Sequence, residues 1–323
     1  MRIIGAIMAL LLGATFASAD PPRVTPAETK FVAAPFCVAI VFEPVKLDKS
    51  ATAAGLPIGD AWKVLEGMTD TDVKAFERVI VLIDPLPGGN VAFMPAFVLR
   101  YPAGTDAKKK LPALLGGEVK EAKLGDVTYV YSTKYKMAMV EMAGYAVDDR
   151  TVLIAPSPTL EVMLKAAGDK DRPLAAELAK LDLARDVGLV ITPAPALKRI
   201  AEIEKESGKK TDDPTFTAVR TALEKTAAIT VTLDFGKNPL VRAEFRCADA
   251  DAAAVVHTTL KDLLAKAKDA YPDARKDLEK MFSPEAKALL PLIDEAVRGY
   301  TLTKTGSTVV LTADRPKSPT PKP

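Results

Sequence analysis

Histidine is almost missing from this chain: His257 stands alone among 323 residues. It sits one residue beyond Val256, at the edge of a helical apolar stripe, and no sequence neighbour orients it. A Ser-His-Asp triad would have to use it, yet no Gly-x-Ser-x-Gly elbow is present. Cysteine is nearly as scarce, with Cys37 and Cys247 only. One histidine and two scattered thiols cannot build a zinc set of the usual spacing, and no alternating-acid calcium loop occurs, so no metal or cofactor is expected. Aromatics make up 6% of the chain with a single tryptophan, Trp62, which argues against a sugar-stacking platform. Gly88-Gly89 and Gly116-Gly117 lack the spacing of a phosphate loop or a dinucleotide fingerprint. The formal net charge is only +2, which removes any case for nucleic acid as a partner.

Long apolar runs are also absent, apart from one at the start. Arg2 is followed by the run Ile3 to Phe16 and then by Ala17-Ser18-Ala19. A short basic start, an apolar stretch below the ~20 residues of a membrane span and small residues at the two positions a peptidase reads form a secretory signal. Cleavage is expected after Ala19, leaving no integral membrane segment and a periplasmic or extracellular protein. Residues 20–30 and 315–323 are proline-rich and are expected to be a disordered linker and tail.

What is present reads as one theme stated twice. The strand candidate Phe36–Phe42, closed by Glu43-Pro44, matches Val187–Thr192, closed by Pro193. Helical pattern follows each, with Asp213-Pro214 as an N-cap and first-turn proline in the second copy. Next come Arg78–Asp84 against Ala228–Asp234, and Ala96–Tyr101 against Leu240–Arg246, each pair joined by a Gly/Pro/Asn turn. Later Gly144–Val147 and Thr151–Ala155 match Gly299–Leu302 and Thr308–Ala313. Asp84 and Asp234 are 150 positions apart, Tyr145 and Tyr300 are 155 apart. Near-constant spacing predicts an α+β fold of two tandem related units, residues 31–182 and 183–314, each an antiparallel sheet with helices on one face.

Candidate site residues are few. In an exported protein Cys37 and Cys247 could pair as a disulfide, or each could be an independent buried thiol; they are not equivalent positions in the repeat. The segment Met137–Met142 reads as a strand with Met137 and Met139 on one face. These two soft side chains are the candidate contacts for an apolar ligand, against the plainer reading that both fill the core. Acidic pairs for glycoside hydrolysis could still be recruited from distant loops.

The segments Glu77-Arg78-Val79-Ile80-Val81, Tyr145 to Val152 and Pro173-Leu174-Ala175-Ala176-Glu177-Leu178 resemble secreted proteins of unknown function from planctomycete-type bacteria. The resemblance covers most of residues 31–314. It implies an exported, duplicated α+β protein and carries over no catalytic residue. The sequence therefore points to a non-enzymatic binding or interaction module of the envelope, for an apolar ligand or another envelope protein. The alternative is a hydrolase using carboxylates from distant loops.

Overall fold

The computed structural model describes residues 23–53, 62, 66, 71–84, 95–137, 139–208, 213–281, 287 and 290–315. Its strands are β1 (Val38–Phe42), β2 (Arg78–Ile83), β3 (Ala96–Arg100), β4 (Val119–Leu124), β5 (Val127–Met137), β6 (Val140–Ala146), β7 (Thr151–Pro156), β8 (Val187–Ile191), β9 (Thr226–Leu233), β10 (Val241–Cys247), β11 (Tyr300–Thr305) and β12 (Thr308–Ala313). The helices are α1 (Pro26–Thr29), α2 (Pro44–Ala53), α3 (Ala107–Leu114), α4 (Ser157–Lys165), α5 (Pro173–Leu178), α6 (Pro193–Ser207), α7 (Pro214–Glu224), α8 (Ala250–Met281) and α9 (Leu290–Arg298). The fold is α+β, as expected: helices pack against one large antiparallel sheet.

All twelve strands join in one sheet, in the order β11-β12-β10-β9-β8-β1-β2-β3-β7-β6-β5-β4. The stretches 31–182 and 183–314 do not form separate sheets. They meet at β1 and β8, which pair antiparallel with Ile40 opposite Leu189. Both strands are short and apolar, and each has ladder partners on both sides. Hairpin β4–β5, absent from the sequence reading, extends one end of the sheet around the turn at Gly125-Asp126. Its strand pattern is weak because Lys120, Glu121 and Lys123 crowd β4, the charged composition that blunts an open sheet edge.

The expectation of helices on one face fails for residues 31–182. One face of β1, β2, β3 and β7, here the near face, packs on α4, α5 and the segment leading into β1. Ala39, Val41, Ile80, Leu82, Leu160, Met163 and Leu174 share that core. The opposite, far face packs on α2, α3 and Trp62, through Phe42, Val79, Phe97, Leu99, Leu111 and Leu114. The reason lies in the strands. Val79–Ile83 and Val152–Ala155 are continuous apolar runs without alternation, and a strand apolar on both sides must be covered on both sides. Trp62 is buried against Phe42, and its indole N–H donates to Asp48 Oδ1 at 2.9 Å.

The linker expected to be disordered over residues 20–30 is ordered from Arg23. Val24 and Phe31 are buried in the near-face core, and Glu28 is 1% exposed. Arg78 explains this. Its guanidinium reaches Glu28 at 2.9 Å and Glu43 at 3.0 Å, and its side chain is itself buried. A buried arginine requires a carboxylate, so the leading segment is held on the sheet. The backbone N–H of Thr25 also donates to Glu28 at 2.7 Å, one arm of a capping box.

In residues 183–314 the near-face core reaches only as far as Val190 of β8, and a separate helical core lies on the far face. Ala222 of α7 and Ala252, Ala253 and Val256 of α8 bury Phe245, Cys247 and Val309. From β9 onward the near face is polar. One cross-strand row shows the change: Tyr145, Leu153, Val98, Ile80 and Val41 continue across the sheet as Gly188, Thr232, Arg242, Thr312 and Thr301. The row turns from apolar to hydrophilic at the β1–β8 junction. Gly188 leaves room there for Leu181, which folds over the strand: a Cβ would lie 2.5 Å from Leu181 Cδ2, so Leu181 would have to shift.

Candidate functional site

The candidates named from sequence are scattered rather than gathered. Met139 is not on a strand face. Met137 pairs with Val140, so a tight hairpin intervenes, and Met139 takes φ +70° at its tip and is 92% exposed. Neither core packing nor a pocket applies to it. Met137 ends β5, and on β6 Met142 is 1% exposed within the far-face core.

Cys37 and Cys247 are both free and buried, so the candidate disulfide is not formed. Cys37 leads into β1 and Cys247 ends β10, and β8 and β9 stand between those strands. At ordinary strand spacing that is about 14 Å, twice what a disulfide tolerates. Burial, then the nearby Asp84 charge, pushes the Cys37 thiol up to about 12. Burial also raises Cys247, with Asp249 adding to it and a hydrogen bond from Thr226 opposing it. Neither thiol is a nucleophile at neutral pH. His257 is half-buried on α8. Among the described residues no three His, Cys, Asp or Glu side chains gather as a metal set. No described helix is long and apolar enough to cross a membrane.

Several recesses open among the described residues, one of about 550 Å³ bordered by Glu43, Lys46, Lys49, Lys74 and Glu77. Another of about 240 Å³ opens on the polar near face among Arg185, Thr230, Thr232, Arg242 and Glu244. Its basic groups are already paired: Arg246 and Lys180 with Glu177, Arg242 with Glu244 at 3.1 Å, Arg185 with Asp234 at 3.1 Å. A wider groove of about 660 Å³ runs past Pro35, Asp84, Pro173, Pro195 and Lys198, and mixes both charge signs with proline.

A smaller recess is different in kind. It holds about 160 Å³ between α8, α9 and the far face of β10, β12 and β11. Leu264 and Ala267 come from α8, Ala296 and Val297 from α9, and Val241, Tyr300, Leu311 and Ala313 from the sheet. Its wall is apolar almost throughout. Helix α8 presents Leu264, Ala267 and Tyr271 at three and four spacing, so they share one side of the helix. On α9, Asp294 and Val297 share a side likewise. One helical turn beyond the apolar wall the two helices are tied by polar groups. The Asp294 carboxylate accepts from Tyr271 Oη at 2.6 Å and from Arg275 Nε at 2.9 Å. Burial, then the adjoining Asp294 carboxylate, pushes the Tyr271 hydroxyl up to about 12, so it remains a donor. The stripe on α8 through Leu264 and Ala267 is legible in sequence. The strands that complete the pocket are not, because they are distant along the chain.

No family model matches the chain, and no curated protein matches it. Among solved structures it is similar to the Treponema protein TP0453 in two crystal forms. For form I the identity is 12% over 92% of this chain and 93% of that one, with a TM-score of 0.40. For form III the identity is 12% over 93% and 95%, with a TM-score of 0.38. An overlap this loose carries no argument from one chain to the other.

Proposed function

We propose that this protein is an exported, non-catalytic binding module of the envelope, made of two related α+β units, and that its ligand is apolar. The observation that carries the ligand reading is the recess under α8 and α9. An apolar hollow bordered by two helices and a sheet has the lining, at about half the lower volume, of an ordinary small-molecule site. Export rests on the short apolar run and the Ala17-Ser18-Ala19 site.

Kinship of the units is supported by the ladders. Val38 opposes Ile83 and Phe42 opposes Val79, while Val187 opposes Leu233 and Ile191 opposes Ile229. Outward from the junction, β1-β2-β3-β7-β6 runs parallel in plan to β8-β9-β10-β12-β11. Arg100 opposes Thr151 as Arg246 opposes Thr308. Tyr145 and Tyr300 lie on corresponding strands but three positions out of step, since Tyr145 opposes Leu153 and Tyr300 opposes Ala313.

Native mass spectrometry of the protein from its own envelope fraction tests the reading. The expected result is a chain beginning at Asp20 that carries a small apolar adduct. A bare chain that also takes up no apolar probe in solution would overturn it.

A further inference from the structure

The recess has a definite size, and size limits what can enter. We propose that it selects a compact apolar group of about benzene size, and that Leu264 and Ala267 set that limit; this rests on the binding reading above. A cavity of about 150 Å³ lined by aliphatic and aromatic side chains stays dry and accepts benzene. The recess here holds about 160 Å³ with the same kind of wall. A single six-membered ring or a short branched alkyl group fits that volume. A fused two-ring body or an extended acyl chain exceeds that volume, so it must displace the wall or leave part of itself outside the open side of the recess.

The wall is not free to move on most sides. Val241, Leu311 and Ala313 belong to strands paired on both edges, β10 and β12. The helical side is held by the ties from Tyr271 and Arg275 to Asp294. Leu264 and Ala267 therefore define how far a ligand can extend toward α8. Leu264 removes volume that an alanine would return, and Ala267 leaves volume that a leucine would take.

The test uses the mature full-length chain and three probes: benzene, naphthalene and 1-dodecanol. Binding is read as the shift in urea midpoint at saturating probe and by titration calorimetry. Benzene is expected to bind, with naphthalene and dodecanol weaker by about tenfold or more, as overpacking a formed cavity requires. Leu264→Ala is expected to bring naphthalene within about threefold of benzene. Ala267→Leu is expected to abolish benzene binding while the circular dichroism of the native chain persists, and it decides the question if Leu264→Ala does not fold. Wild-type affinity for naphthalene or dodecanol equal to that for benzene would overturn the size limit and leave the binding reading standing. Unchanged benzene affinity in Ala267→Leu would overturn the assignment to this recess. No uptake of any probe would overturn both.

Discussion

Gly188 and Leu181 offer a quantitative test of the junction between the two units. A methyl group at residue 188 would lie 2.5, 3.0 and 3.1 Å from Leu181 Cδ2, Cδ1 and Cγ. Leu181 is 2% exposed, so it cannot swing away into solvent. Gly188→Ala should cost about 1–3 kcal/mol from overpacking, less the ~0.4–1 kcal/mol gained by stiffening the unfolded chain. Leu181→Ala should cost about 2–5 kcal/mol through lost burial and the hole it leaves. All three clashing atoms are ones that alanine lacks. The double variant therefore removes the clash and half-fills the hole with the new methyl. It should be more stable than the sum of the single changes by about 1–3 kcal/mol. Urea denaturation of the four chains, followed by circular dichroism, closes the cycle. Additivity within about 0.5 kcal/mol would show that the two side chains do not meet and would refute the placement of Leu181 over β8.

Glu28→Gln should destabilise the chain by about 1.5–3 kcal/mol, because buried Arg78 loses one of its two carboxylate partners and keeps Glu43; limited proteolysis should then cut near residue 30. Cys37 ionises only near 12 in the folded protein, against 9.0 for a free thiol. The folded state therefore holds its proton more tightly, so that contribution is complete below pH 9 and is lost as pH rises toward 12. Alkaline titration of stability should be flatter in Cys37→Ala, and native Cys37 should resist iodoacetamide at pH 8. Met139→Ala and His257→Gln should each shift stability by less than about 0.5 kcal/mol in a thermal melt, Met139 because its side chain touches solvent and His257 because no polar partner among the described residues depends on it.

Much of the local structure was written plainly in the chain. The apolar runs at residues 36–42, 78–84, 187–192 and 228–234 became strands, and Asp213 caps α7 by accepting from Phe216 N at 2.7 Å. Relations between distant segments carry no local signal. Nothing local says that β1 pairs with β8, or that β8 and β9 hold Cys37 and Cys247 apart. The second helical layer had a visible sign, the unbroken apolar run of β2, which a one-sided sheet does not need. The alternation of Met137–Met142 does not mark one strand, because the chain turns there and Lys136 and Glu141 already face each other, leaving Met139 at the tip. The polar near face from β9 onward followed from Thr230, Thr232, Arg242 and Glu244, whose alternation is clear once the strand register is known.

The β1–β8 pairing has a consequence for how the chain folds. Strand β1 lies first along the sequence and in the middle of the sheet, yet one of its two neighbours is about 150 residues away. Closing so long a loop is among the slower steps available to a chain, since its entropy must be lost before the contacts form. Until β8 arrives, Val38–Phe42 offers a bare row of apolar residues and unpaired amides on one side. A chain cut after residue 182 would keep that row permanently open. Such a fragment should pair with copies of itself through β1 instead of remaining a monomer.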